Sequence, residues 1–132
     1  MCIAFKLFDV DATTRFHFNG TIICRTPLEG SFVQMLAVYE DDLTSDDLLG
    51  ATTNFVRTET GMAFSIDVTD DGDGAYDTDY EISFLIKHNC THNGETIETR
   101  VEVKSFPVVN GDLYHTEHVN LSRFLDNCIL KN

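Results

Sequence analysis

Met62-Ala-Phe-Ser-Ile-Asp-Val68 sets an apolar residue at every second position, with Ala63, Ser65 and Asp67 between them. Successive side chains of a strand point to opposite faces, so this stretch buries one face and gives the other to water. The same period runs outward in both directions. Upstream, Phe16, Phe18 and Ile22 alternate with His17, Asn19 and Thr21, so residues 14–24 read as a strand with Gly20 as an expected bulge. Val33, Met35, Ala37 and Tyr39 oppose Gln34, Leu36 and Val38, a strand covered on both faces. Downstream, Tyr80, Ile82, Phe84 and Ile86 alternate with Glu81, Ser83, Leu85 and Lys87. Ile97, Thr99, Val101 and Val103 then alternate with Glu98, Arg100, Glu102 and Lys104.

Weaker pieces complete the pattern. Ile3, Phe5 and Leu7 suggest a short first strand, residues 50–58 a marginal one, and residues 115–121 a last one. Residues 40–48 read as an acidic connection with room for one helical turn, and 69–79 as a loop. Leu121, Phe124, Leu125 and Cys128 suit a short C-terminal helix. Turn signals separate the strands and no long segment has helical period, which predicts an all-β antiparallel sandwich of seven to eight strands. The expected organisation is a single domain over residues 1–132.

Composition narrows the function classes. With 42% hydrophobic residues and ten Phe, the chain can bury a core rather than remain disordered. A net charge of −13 argues against non-specific nucleic-acid binding, which needs Lys and Arg on phosphates, and against a polybasic membrane tether. No apolar run approaches the roughly 18 residues of a spanning helix. The opening residues are too short and too charged for a signal peptide, so a secreted protein would here be in its processed form.

Cys2, Cys24, Cys90 and Cys128 lack the close spacing of zinc ligands. Four widely spaced cysteines read as two disulfides with three pairings open; Cys24–Cys90 with Cys2–Cys128 is favoured, the second tying the termini together. The alternative is four buried free thiols in a cytosolic protein. Three sequons, at Asn19, Asn89 and Asn120, agree with secretion, which is the preferred compartment.

At Val38-Tyr-Glu-Asp-Asp-Leu-Thr-Ser-Asp-Asp-Leu-Leu-Gly-Ala-Thr-Thr-Asn54 the sequence resembles the nematode transthyretin-like family. Phe18-Asn-Gly-Thr-Ile-Ile-Cys24, Ile86-Lys-His-Asn-Cys90 and His118-Val-Asn-Leu121 are similar to further pieces of that family, in order, over about residues 14–121. The resemblance implies a transthyretin-like sandwich, secretion and a Cys24–Cys90 disulfide. Some members are thought to bridge exposed phosphatidylserine on dying cells to an engulfment receptor. The 5-hydroxyisourate hydrolases related to transthyretin carry a C-terminal Tyr-Arg-Gly motif, whereas this chain ends Cys-Ile-Leu-Lys-Asn. Cys2 and Cys128 lie outside the matched stretch, and the glycine-rich acidic loop departs from it.

No nucleophile elbow is present, and His17, His88, His92, His115 and His118 read as strand-surface or core-edge residues, so no enzyme is expected. Asp70, Asp71, Asp73, Asp77 and Asp79 offer calcium the hard oxygens it takes, although they miss the EF-hand spacing and a solvated loop is the favoured reading. No other cofactor is expected. If their strands are neighbours, Lys87, Arg100 and Lys104 would gather into a cationic patch for a phosphate or carboxylate; pairing with the interleaved glutamates is the simpler alternative. The leading expectation is therefore a secreted, non-enzymatic binding module for phosphatidylserine and a cell-surface receptor. Its rivals are a carrier of a small apolar ligand, which would be oligomeric, and a secreted protein-interaction factor.

Overall fold

A computed structural model describes residues 13–25, 31–41, 46–70 and 79–124. Eight strands follow in chain order: β1 (Thr14–Ile23), β2 (Val33–Asp41), β3 (Asp46–Thr52), β4 (Val56–Arg57), β5 (Met62–Asp70), β6 (Asp79–His88), β7 (Ile97–Pro107) and β8 (Gly111–Asn120). They form two four-stranded sheets, ordered β4-β5-β1-β8 and β3-β2-β6-β7. A helical turn over 122–124 follows β8. The expected first strand, the rest of the expected helix, Cys2 and Cys128 lie outside the described residues.

Period-two patterning explains the layers. Phe16, Phe18 and Ile22 of β1 and Phe64, Ile66 and Val68 of β5 face Leu36 and Val38 of β2 and Tyr80, Ile82, Phe84 and Ile86 of β6. Phe16 meets the rings of Tyr80 and Phe106 edge-on at 5.4 and 5.6 Å, and Phe18 meets Phe84 at 5.4 Å. Such edge-to-face contacts add to area burial because a ring's positive edge meets its neighbour's negative face.

Four expectations are corrected. The sheets are not wholly antiparallel: β8 runs parallel to β1, from Thr14 opposite Gly111 to Ile23 opposite Asn120. Gly20 is no bulge, because both its pairings keep register. It is glycine because an added Cβ would stand 1.8 Å from the Glu117 carbonyl oxygen. Residues 50–58 are not one strand; they end β3 in one sheet and supply the two-residue β4 to the other. The described parts of the acidic connection, 40–41 and 46–48, are strand as well, with Glu40 opposite Asp47 and Asp41 opposite Asp46.

Like charges facing each other across a ladder repel, and Arg100 explains why this ladder holds. Its Nη2 donates to Asp41 Oδ1 at 2.6 Å and to Asp46 Oδ2 at 3.0 Å. The guanidinium also lies 5.0 Å from the Tyr39 ring centroid. Asp41 in turn accepts from the buried Ser83 hydroxyl at 3.1 Å. One cation from β7 thus reaches across β6 to hold the β2–β3 hairpin.

Candidate functional site

Two places gather polar side chains. The first is the outer face of the sheet containing β1. Strand period sends Arg15, His17 and Asn19 to that face, beside Asp67 and Ser65 of β5 and Asp112, Tyr114 and Thr116 of β8. His17 donates from Nδ1 to Asp67 Oδ1 and from Nε2 to Asp112 Oδ1, each at 2.8 Å. A neutral imidazole has one proton to donate, so two carboxylate partners favour the doubly protonated form of this ring. Hydrogen bonds to Asp112 and Asp67 accordingly raise the His17 pKa from its ordinary value. Arg15 clamps the same Asp112 through Nε at 2.9 Å and Nη2 at 3.1 Å. Arg15, then His17, hold the Asp112 carboxyl well below the usual range, at about 2. Tyr114 stacks on His17 at 4.5 Å and is 76% exposed.

The second is a groove of about 390 Å³ between β7 and β8, the edge strands of their sheets among the described residues. Val101, Val119 and Phe124 line its floor side, and Glu102, Glu117, His118, Asn120 and Arg123 supply polar groups. Arg100 adds to the wall, but its guanidinium is turned onto Asp41 and Asp46. Glu117 is bonded to His115 Nε2 at 2.7 Å. The side chains of Arg123 and His118 have no hydrogen-bond or ion-pair partner among the described residues. The groove thus presents two nitrogen donors beside two carboxylates, a set suited to a small ligand carrying both signs of charge.

Strands β6 and β7 are neighbours, as the cationic-patch expectation required. They do not bring its three residues together. Lys87 pairs with Glu98, Arg100 lies opposite Leu85, and a register shift beyond Ser83 puts Lys104 opposite the core residue Ile82. Lys104 Nζ sits 5.3 Å from the Phe106 ring centroid. A bulge flips the alternation that the sequence suggested.

Of the acidic loop, Asp70 ends β5, Asp79 begins β6, and Asp71, Asp73 and Asp77 lie outside the described residues. Among the described residues no three His, Cys, Asp or Glu side chains converge as metal ligands. His88 is a core residue: it accepts from the Cys90 N–H at 3.0 Å, contacts Thr99 Oγ1 at 2.7 Å, and burial lowers its pKa. His92 is exposed in the turn after Cys90.

Cys24 and Cys90 form a disulfide with Cα atoms 5.9 Å apart, tying the exit of β1 to that of β6 and so one sheet to the other. Asp67, Asp112, Tyr114 and Arg123 were not legible as site residues, because β5, β8 and the chain end meet β1 and β7 only through the topology. The one available signal was Arg15, His17 and Asn19 alternating with core residues of β1.

These features define a two-sheet all-β sandwich, cross-linked by a disulfide, with a polar outer face and an edge groove. The chain belongs to the family described as Caenorhabditis elegans protein of unknown function, DUF870, whose model matches residues 19–123. Uncharacterized protein B0416.7 of Caenorhabditis elegans is 27% identical over 112 residues, which are 82% of this chain and 81% of that protein. Among solved structures, a 9R-lipoxygenase from Cyanothece PCC8801 matches 83% of this chain at 13% identity and TM-score 0.39. The chain spans only 17% of that enzyme's length, and so weak a likeness carries no argument. The comparisons thus show a Caenorhabditis elegans family, and none of these matches bears the transthyretin name that the sequence resemblance suggested. No helix among the described residues is long and apolar enough to cross a membrane.

Proposed function

We propose that the protein is a secreted, non-enzymatic binding module related to the nematode transthyretin-like proteins. Its most concrete role is to bridge exposed phosphatidylserine on dying cells to an engulfment receptor. The Cys24–Cys90 disulfide carries the extracellular part of this reading, since such cross-links persist in oxidising compartments. The β7–β8 groove supports the ligand. A phosphoserine headgroup combines a phosphate and a carboxylate with an ammonium group, matching Arg123 and His118 beside Glu102 and Glu117. With a net charge of −13 the chain is repelled from an anionic bilayer at long range, so any selectivity must come from close contacts.

Co-sedimentation with phosphatidylserine-containing and pure phosphatidylcholine vesicles, with and without calcium, tests the role. Selective pelleting with phosphatidylserine that R123E removes is the expected result. Calcium-dependent pelleting indifferent to R123E would move the contact to the acidic loop. No pelleting would overturn the lipid reading and favour a carrier of a small apolar ligand. That second reading has its own support in a cavity of about 470 Å³ at the β4–β5 edge, lined by Phe55, Val56, Ala63 and Phe64 with Asn54 and Ser65.

A further inference from the structure

The chain offers three N-x-S/T sequons, and the fold treats them differently. We propose that Asn19 is the N-glycan acceptor and that Asn89 and Asn120 remain unmodified. The inference rests on the extracellular reading above.

Asn19 lies midway along β1 on the outer face of its sheet, and its side chain is exposed. Thr116 Oγ1 donates to Asn19 Oδ1 at 2.7 Å, which fixes the carboxamide and leaves Nδ2 on the side away from that bond. Its cross-strand neighbours are Ser65 and Thr116, both short, so a first sugar meets hydroxyls rather than a wall of side chains. Gly20, the middle residue of the sequon, turns inward against the Glu117 carbonyl and adds no bulk outside.

The other two acceptors are built into the fold. Asn89 Oδ1 is buried without a hydrogen-bond partner, and the Asn89 N–H donates to the Phe32 carbonyl at 3.0 Å. The next residue, Cys90, is fully buried in the cross-sheet disulfide, so a glycan on the half-buried Asn89 would have to turn a carboxamide whose oxygen is buried, beside a fixed bond. Asn120 is half-buried in the groove wall, where its Oδ1 accepts from the Ser122 N–H at 3.1 Å. The Ser122 hydroxyl is itself buried and accepts from the Arg25 N–H at 2.8 Å.

In the transfer, Asn19 Nδ2 loses a proton to the transferase and forms a bond to C1 of the first sugar. The bond from C1 to the pyrophosphate of a lipid-linked oligosaccharide donor breaks, and the lipid pyrophosphate leaves. Thr21 supplies the hydroxyl that the sequon requires. A glycan on Asn19 would stand over the β5–β1–β8 face beside Tyr114 and His17, leaving the β7–β8 groove and the opposite sheet for protein or lipid partners.

The test is intact-mass measurement of the full chain, expressed behind a cleavable secretory leader in insect cells, before and after amidase removal of N-glycans. One glycan per chain is expected, abolished in N19Q and in T21A, and retained in N89Q and N120Q. A glycan surviving N19Q or T21A, or an unglycosylated wild-type chain in the medium, overturns the assignment. Because the leader forces passage through the secretory pathway, this outcome is independent of natural secretion. Natural export is read separately, by asking whether the chain expressed from its own gene in nematode cells reaches the extracellular fluid.

Discussion

Replacing Arg100 by Ala removes the one cation between two carboxylates that face each other across the β2–β3 ladder. Arg100 contacts Asp41 at 2.6 Å and Asp46 at 3.0 Å, with its side chain 36% exposed. Solvent screening at that exposure limits each ion pair to about 0.5–1 kcal/mol. The stacked guanidinium on Tyr39 adds about 0.5 kcal/mol, and the unshielded Asp41–Asp46 pair costs a few tenths more. The sum is a loss of about 2 kcal/mol for R100A, read as a lowered urea midpoint at unchanged slope. The same variant carrying D46N should recover a few tenths of a kcal/mol of that loss, since one of the facing charges is gone. If R100A shifts stability by less than about 0.5 kcal/mol, or if D46N leaves the loss untouched, the bridging account fails. The experiment also bears on ligand binding, because a guanidinium held by two carboxylates is not free to take a headgroup.

The Cys24–Cys90 bond closes a span of 66 residues, for which the loop-closure model gives about 4 kcal/mol. Reduction, or C24S with C90S, should lower the thermal midpoint, and an unchanged midpoint would show that the sheets hold without it. The His17 pKa is raised by folding, so its contribution is whole below about pH 6.5 and fades as pH rises through the raised value. The stability gap between wild type and H17Q should therefore be larger at about pH 5.5 than at about pH 9, and a pH-independent gap would refute the two-carboxylate bridge. Asp112 works in the opposite sense: its carboxyl, depressed from 3.8 to about 2, stabilises above the ordinary value and ceases to as pH falls through about 2. Acid unfolding of D112N should lack that component, as followed by circular dichroism.

The sandwich itself was legible because its evidence is local. Phe16, Phe18 and Ile22, or Phe64, Ile66 and Val68, declare a strand and its buried face within a few residues. What escaped the sequence depends on distant partners. Asp41 and Asp46 look like turn chemistry until Arg100, 59 and 54 residues away, is known to lie between them. The His17 bridge joins residues 50 and 95 positions distant, and the parallel course of β8 follows from how the chain crosses between sheets. Lys104 leaves the face it was expected to share with Lys87 and Arg100 for a local reason that alternation cannot express. One extra residue near Val103 changes which way Lys104 points.

The parallel pairing of β1 with β8 also orders events in time. Arg15 and Asp112, partners in that ladder, are 97 residues apart, nearly the whole length of the described sandwich. During synthesis β1 emerges among the first strands and waits about 5–20 s for β8 at ordinary elongation rates. Until then one edge of β1 has no ladder, and Phe16 and Phe18 lack the cover that β8 completes. The first sheet is closed only once β8 has been made, so the newborn chain depends on whatever shields that open edge while it grows.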